Sequence, residues 1–302
     1  MKTRTVIVLG LVAGIVVLLV VFARPIVWPI LFPPKARVIG FDADASGAGE
    51  GPFTFERYAT VLAATVDANG MVNYSALKAN SGDLDAFGAM LGALDANVYA
   101  AWPEKQQIAF WINAYNALTL KAIISHYPIS GSSPLYPKSS IRQILGGHAW
   151  DKLEFIVMGE KRTLNEIEHT VLRKQFSEPR IHVALVCAAI SCPPLRNEPF
   201  VAERLDEQLD DQGRRFAAST KGLRIDRSAK RVYLSAIFKW FGDDFIAVYG
   251  AEDKFTGKTA AQRAVLNYIS AYVGDDDRTY LETGHYTVKY LDYDWTLNEQ
   301  KR

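Results

Sequence analysis

The stretch IAFWINAYNALTLKAI, residues 108–123, decides the reading of the fold. It is apolar almost all round, so the helix it forms has no face to give to water and belongs in a core. Pro103 and Glu104 suit a first helical turn, and the helix is expected to run to about Tyr127. Asn113 and Asn116 interrupt the apolar surface three residues apart on one face. Asparagine is a poor helix-interior residue, and a buried amide without partners costs about 1–3 kcal/mol. Both amides need partners. Either they tie the helix to a neighbouring loop, or they line a polar pocket and orient a substrate or a catalytic group.

Working outward, residues 53–66 have helical spacing and end in the turn Asp67-Ala-Asn-Gly70. Helices are also expected over residues 83–94, 200–218 and 260–273. Residues 152–158 have strand character and turn at Gly159-Glu160; Thr163-Leu-Asn-Glu166 is a capping box opening a helix to about Gln175. The apolar run 181–188 has strand length, residues 223–235 form a hairpin, and 286–295 alternate like a strand. The expected fold is α+β: one helix-rich globular domain over residues 53–302 with a small, mostly antiparallel sheet. Hydrophobic residues make 49% of the 302, and 34 Lys+Arg against 33 Asp+Glu leave a net charge of +1. This excludes a disordered chain and gives no basic footprint for nucleic acid.

Before residue 53 the chain has a different character. Val6 to Ala23 carries no charge, and 18 residues of helix reach roughly 27 Å, close to a hydrocarbon core of about 30 Å. Lys2 and Arg4 precede it, and Trp28 follows at interfacial depth. Residues 1–23 are expected to be a basic tail and membrane anchor with the globular domain on the outer, periplasmic side; a cleaved signal peptide is the competing reading. Gly10 and Gly14 have the spacing of a helix-pairing face that would support a homodimer. Residues 24–52, rich in proline and then glycine, read as a linker.

The reactive side chains cluster late. In Arg180-Ile-His-Val-Ala-Leu-Val-Cys187-Ala-Ala-Ile-Ser-Cys192-Pro-Pro-Leu-Arg196, a strand over 181–187 puts His182 and Cys187 on opposite faces. Cys192 lies beyond it, before Pro193-Pro194, where a following helix N-terminus would favour its thiolate, the attacking species of thiol enzymes. Each cysteine also fits a buried apolar role, and the two could join as a disulfide. Their C-x4-C spacing is not that of a zinc site. His169 lies at the edge of the buried stripe of its helix, with Glu166 and Arg173 nearby. Asp243-Asp244 and Asp275-Asp276-Asp277 read as cap and turn residues.

Five motifs then occur in order: FWINAYNALTL, RTLNEIEHTVLR, RIHVALVCAAISCPPLR, LSAIFKWFGDDF and YDWTLN. Together they resemble the domain-of-unknown-function 547 family over roughly residues 53–298. The resemblance singles out Trp111, Asn113, Tyr115 and Asn116; Glu168, His169 and Arg173; His182, Cys187, Cys192, Pro193 and Arg196; Trp240 and Asp244; and Asp294, Trp295 and Asn298. It implies no settled activity, and its bacterial members look exported or membrane-tethered.

These readings support a tethered thiol hydrolase or acyl-transferase acting on an amide or peptide-like bond. Cys192 is the expected nucleophile, with Cys187 as the substitute. His169 or His182 serves as base and Asn113 or Asn116 as orienter or oxyanion donor. Trp111, Glu168, Arg173, Arg196, Asp294 and Asn298 are the expected substrate contacts, and neither cofactor nor metal is required. Two other classes remain open at this level. One is a non-catalytic sensory or scaffolding domain that binds a small-molecule or peptide-like ligand or a protein partner. The other is a metal-assisted hydrolase using His169, His182, Glu168 and Asp294.

Overall fold

The computed structural model describes residue 31, residues 33–41 and residues 52–301. The expected anchor, the Gly10/Gly14 pairing face and most of the linker lie outside the described residues. Among the described residues no helix is long and apolar enough to cross a membrane.

The helix Glu104–Ile124 runs through the middle of the first hydrophobic core, and from Ile108 onward every residue except Lys121 is buried. Lys121 reaches its charge out to Asp85 on the helix Gly82–Ala93, which satisfies both groups. The helix Glu56–Thr65 packs in the same core through Tyr58, Val61 and Leu62. A three-stranded sheet adds to it: β1 (Arg37–Val38) is parallel to β2 (Leu153–Val157), which is antiparallel to β3 (Glu160–Thr163). The hairpin turns on Met158 and Gly159, at φ of 51° and 75°, the two left-handed positions that a tight hairpin matching strand twist requires. The residues of β1 lie within the stretch whose composition reads as a linker. They pair because Ile39 and Phe41 bring apolar side chains to the core, with the Ile39 N–H on Glu154 O.

A second core gathers Phe216, Val232, Leu234, Phe238, Phe245 and Leu266. Its sheet joins β4 (Leu223–Asp226) antiparallel to β5 (Arg231–Leu234), with β6 (Thr287–Tyr290) parallel to β5. The molecule is helix-rich, as expected, but each of its two small sheets is mixed rather than mostly antiparallel. The reason is topological. The strands β1 and β6 arrive from distant parts of the chain, across helices, and only such long connections allow parallel pairing.

The largest departure concerns residues 181–188, which form no strand. Pro179–Val183 is a short 3-10 helix, opened by Pro179 and capped by the Glu178 side chain accepting the Arg180 N–H. The chain then turns through Ala188 at φ 63°. The backbone that a sheet would have used is engaged elsewhere: the Val186 N–H donates to Asn116 Oδ1, and Ala188 O accepts the Asn298 N–H. The run is apolar because it is enclosed on all sides. The opposite-face argument for His182 and Cys187 therefore does not hold. Gly70 lets the chain come this close: a Cβ there would lie 2.5 Å from the Leu195 backbone nitrogen, and its φ is 75°.

Candidate active site

A cavity of about 290 Å³ opens where side chains of both cores meet, Tyr115, Leu185 and Cys192 from the first, Ile237 and Phe241 from the second. Its reactive end is the pair of free cysteines. Cys187 Sγ and Cys192 Sγ are 2.6 Å apart, and the Tyr293 hydroxyl lies 3.2 Å and 3.1 Å from them. The Cys187 backbone N–H donates to Cys192 Sγ at 3.1 Å. Burial alone would push the Cys192 thiol up. The hydrogen bonds from Cys187, from the Tyr293 hydroxyl and from backbone N–H groups outweigh it and hold the thiol below its ordinary value. Cys187, engaged with Cys192 and itself buried, is pushed well above. Of the two thiols, Cys192 is therefore the one that ionises more readily. No helix starts at Pro193, so these donors, rather than a helix dipole, favour the thiolate.

The C-terminal segment supplies Tyr293 because it is laid across the cysteine loop. The Ile190 N–H donates to Thr296 O, the Ser191 N–H to Asp294 O, and the Asp294 N–H to Ser191 Oγ. Trp295 and Trp240 stack with ring centres 6.0 Å apart, and Trp150 meets Trp295 edge-on at 5.9 Å. These three rings form an aromatic wall; Trp240 is 47% exposed at its rim.

Glu168 and His169 enter from the helical stretch that begins at Leu164. Its middle, Ile167–Leu172, is a π-helix, a widened turn that recurs at functional sites. The Tyr115 hydroxyl faces Glu168 Oε2 at 3.4 Å. Burial pushes the Glu168 carboxyl up to about 7, against the opposing pull of Arg173 and Tyr115. The two histidines are not equivalent. Arg173 Nη1 can only donate, so at 2.6 Å it makes His169 Nδ1 an acceptor and leaves the ring proton on Nε2. His182 Nε2 meets Asp244 Oδ2 at 2.7 Å, so it carries its proton there and keeps Nδ1 as a lone pair. Burial lowers both pKa values, and the imidazoles are neutral at neutral pH. Phe241 stacks on His182 at 4.2 Å. Arg173 also pairs bidentately with Asp244, at 2.6 and 2.8 Å, which with the His182 bond holds that carboxyl well below its usual range despite partial burial. Neither histidine hydrogen-bonds to a sulfur among the described residues.

Cys187, Cys192, His169, His182 and Glu168 therefore line one cavity, as a shared site requires. Tyr115, Trp240 and Trp295, singled out by the resemblance, line it too, whereas the other residues expected as orienters or substrate contacts do not. Asn113 Nδ2 donates to Phe200 O at 2.7 Å while its Oδ1 accepts the Phe200 N–H at 3.0 Å; Asn116 clamps Ala184 O and the Val186 N–H in the same way. Each amide is bonded to the backbone of a neighbouring loop and neither lines the cavity. Trp111 gives its Nε1–H to Tyr99, and Arg196 is spent on Glu198 and Asp211. Asn298 accepts from the Tyr74 hydroxyl, while exposed Asp294 caps the Thr296 N–H. Arg173 sits behind the site, holding Asp244. Asp244, read as a cap, is instead the hub of the histidine network. Tyr293, Trp150 and Arg142 carried no signal of their own in the sequence. Among the described residues no group of three or more His, Cys, Asp or Glu side chains is spaced to hold a metal ion, and Asp294 lies away from the others proposed as ligands.

A model of the family described as "Protein of unknown function, DUF547" matches residues 99–217, which supports the family resemblance for that stretch. It takes in the central helix, Glu168, His169, His182 and both cysteines, and leaves out Asp244, Tyr293 and Trp295. No curated protein and no solved structure matches the chain.

Proposed function

We propose that the protein is a membrane-tethered thiol hydrolase or acyl-transferase of the bacterial type, with Cys192 as nucleophile toward an amide or peptide-like bond. The observation that carries this is the hydrogen bonding of Cys192 Sγ, which accepts from a backbone N–H and lies within hydrogen-bond distance of a thiol and a phenol in the cavity. The thiolate attacks the carbonyl carbon, forming the C–S bond and sending the carbonyl electron pair onto oxygen. His169, neutral and with its proton on Nε2, is the donor the cavity offers to that oxygen. Collapse of the intermediate breaks the C–N bond, and neutral Glu168 gives the departing amine its proton. His182 Nδ1, oriented by Asp244, is the base for the water or acceptor that then cleaves the thioester. Val6 to Ala23 supports the tether, and membrane fractionation of the full chain tests it.

Iodoacetamide at neutral pH, with sites mapped by mass spectrometry, tests the nucleophile. Cys192 should label ahead of Cys187, and Cys192→Ser should lose release of chromophore from acyl anilides and thioesters. Silence of both sulfurs, or labelling of Cys187 alone, overturns the reading. The aromatic wall favours a second one, a ligand-binding domain without chemistry. In that case Cys192→Ser would keep both ligand affinity and biological activity.

A further inference from the structure

We propose that Arg142 makes the aromatic end of the cavity a carboxylate-recognition point, so that the molecules admitted to Cys192 carry a free carboxylate. The inference deepens the reading of the cavity above and rests on it for the word substrate; the recognition itself does not need the thiol to react.

Arg142 lines the cavity, and its guanidinium lies over three rings, 4.5 Å from Tyr136, 5.0 Å from Trp295 and 5.7 Å from Trp150. One amino group donates to the Tyr136 hydroxyl. Its Nε is buried and has no partner, so it is through the terminal amino groups that the guanidinium can meet a ligand in the cavity. Two other arginines, Arg162 and Arg196, also bury an unpartnered Nε, but each already holds a carboxylate, Glu160 for the first and Glu198 with Asp211 for the second. Among the described residues Arg142 has no acidic partner. A planar cation held on aromatic faces with donors unspent is matched by a carboxylate, which takes two parallel N–H bonds in the same plane.

The loop around it is built to hold it there. Gln143 Nε2 donates to Ser133 O, Tyr136 O and Pro137 O at 2.9, 3.0 and 3.2 Å, and its Oε1 accepts the Ser133 N–H at 3.1 Å. This pins the segment that carries Tyr136. Directly afterwards Leu145, Gly146 and Gly147 take φ of 49°, 64° and 98°, a run of left-handed residues that brings Gly147 to the cavity. A leucine in that region is strained, and such strain persists where the surroundings hold it. The acidic side chains lining the cavity are Asp151 and Glu168, and Arg142 is its one guanidinium among the described residues.

Two alkylating probes of nearly equal size separate charge from reactivity. Iodoacetate and iodoacetamide each form a C–S bond with Cys192 and release iodide, and only the first carries a carboxylate. With the full chain at one pH, the ratio of iodoacetate to iodoacetamide rate at Cys192 should fall roughly tenfold in Arg142→Gln and less in Arg142→Lys. An unchanged ratio in Arg142→Gln overturns the proposal. Tryptophan fluorescence titration with phenylacetate and phenylacetamide reads the same point without the thiol, because Trp150 and Trp295 flank the guanidinium. Phenylacetate should bind more tightly than phenylacetamide, and Arg142→Gln should erase the difference. Equal binding of the two to the unaltered chain overturns the proposal. Failure of both iodo compounds to label Cys192 condemns the thiol reading alone, and the titration then decides Arg142.

Discussion

Glu168 shows what a single buried carboxyl contributes and costs. Its folded value is raised to about 7, chiefly by burial, from an ordinary 4.5. The stability associated with its neutral form is fully present below the unfolded value and is lost as pH rises through about 7. Glu168→Gln should therefore gain on the unaltered protein between pH 4 and pH 9, by on the order of 1–3 kcal/mol, read by urea unfolding at each pH. A gap that stays constant with pH would contradict the assignment. Cys187 supplies a second case at this scale. Its hydrogen bond is one of the contacts that lower the Cys192 thiol, so Cys187→Ala should slow alkylation of Cys192 at neutral pH by about threefold to tenfold. At alkaline pH, where both forms are ionised at Cys192, the two rates should converge. The cysteines, Glu168 and both histidines were legible as reactive types in the sequence. Their division of labour was not, because the site of the proton on His169 is fixed by Arg173 and on His182 by Asp244.

At the scale of elements, the two asparagines of the central helix are clamps, and each closes a ring of two hydrogen bonds with one loop. Asn113 holds the loop at Phe200; Asn116 holds the turn that delivers Cys187. Asn113→Ala and Asn116→Ala should each cost about 2–4 kcal/mol in urea unfolding, since each leaves a buried carbonyl and N–H without partners. Iodoacetamide should distinguish them. Asn116→Ala should change the labelling rate of Cys192, and Asn113→Ala should leave it close to that of the unaltered protein. The need for partners at these amides was legible from their places on an apolar helix, and of the two alternatives the structure shows the tie to a neighbouring loop. The clamps also explain why residues 181–188 form no strand. A short apolar run is compatible with a strand or with any enclosed segment, and long-range bonds from Asn116 and Asn298 decide between them. The capping box at Thr163, by contrast, is local chemistry, and both of its bonds form as the sequence requires. Asp275-Asp276-Asp277, read with Asp243-Asp244 as cap and turn residues, occupies the first turn of the helix Asp275–Thr283, where negative charge is favourable.

For the molecule as a whole, the cavity exists because two cores meet, and this is the part that no local pattern announces. Tyr293, Trp240 and Phe241 come from segments around the second core, while the cysteine loop and Glu168 belong to the first. Asp244 joins the two: it takes two hydrogen bonds from Arg173, at the end of the π-helical stretch, and one from His182, next to the cysteine loop. A sequence shows Asp244 as one of two aspartates near a helix boundary, since its partners lie 71 and 62 positions away. Because its folded pKa is depressed, the stability it supplies is present above the unfolded value of 3.8 and is lost as pH falls through the lower folded value. Asp244→Asn should therefore be less stable than the unaltered protein by on the order of 2 kcal/mol at pH 5–8, with the gap closing in acid. Its effect should also be spatially uneven, since the lost bonds are those linking the two cores. Calorimetry of the variant should show a broadened or split transition where the unaltered protein unfolds in one, and hydrogen exchange should speed first at the cavity-lining segments. If the variant unfolds in a single transition as sharp as that of the unaltered protein, with no selective exchange at the cavity, Asp244 is not what couples the cores. The coupling would then rest on the apolar contact of Tyr293, which packs against both.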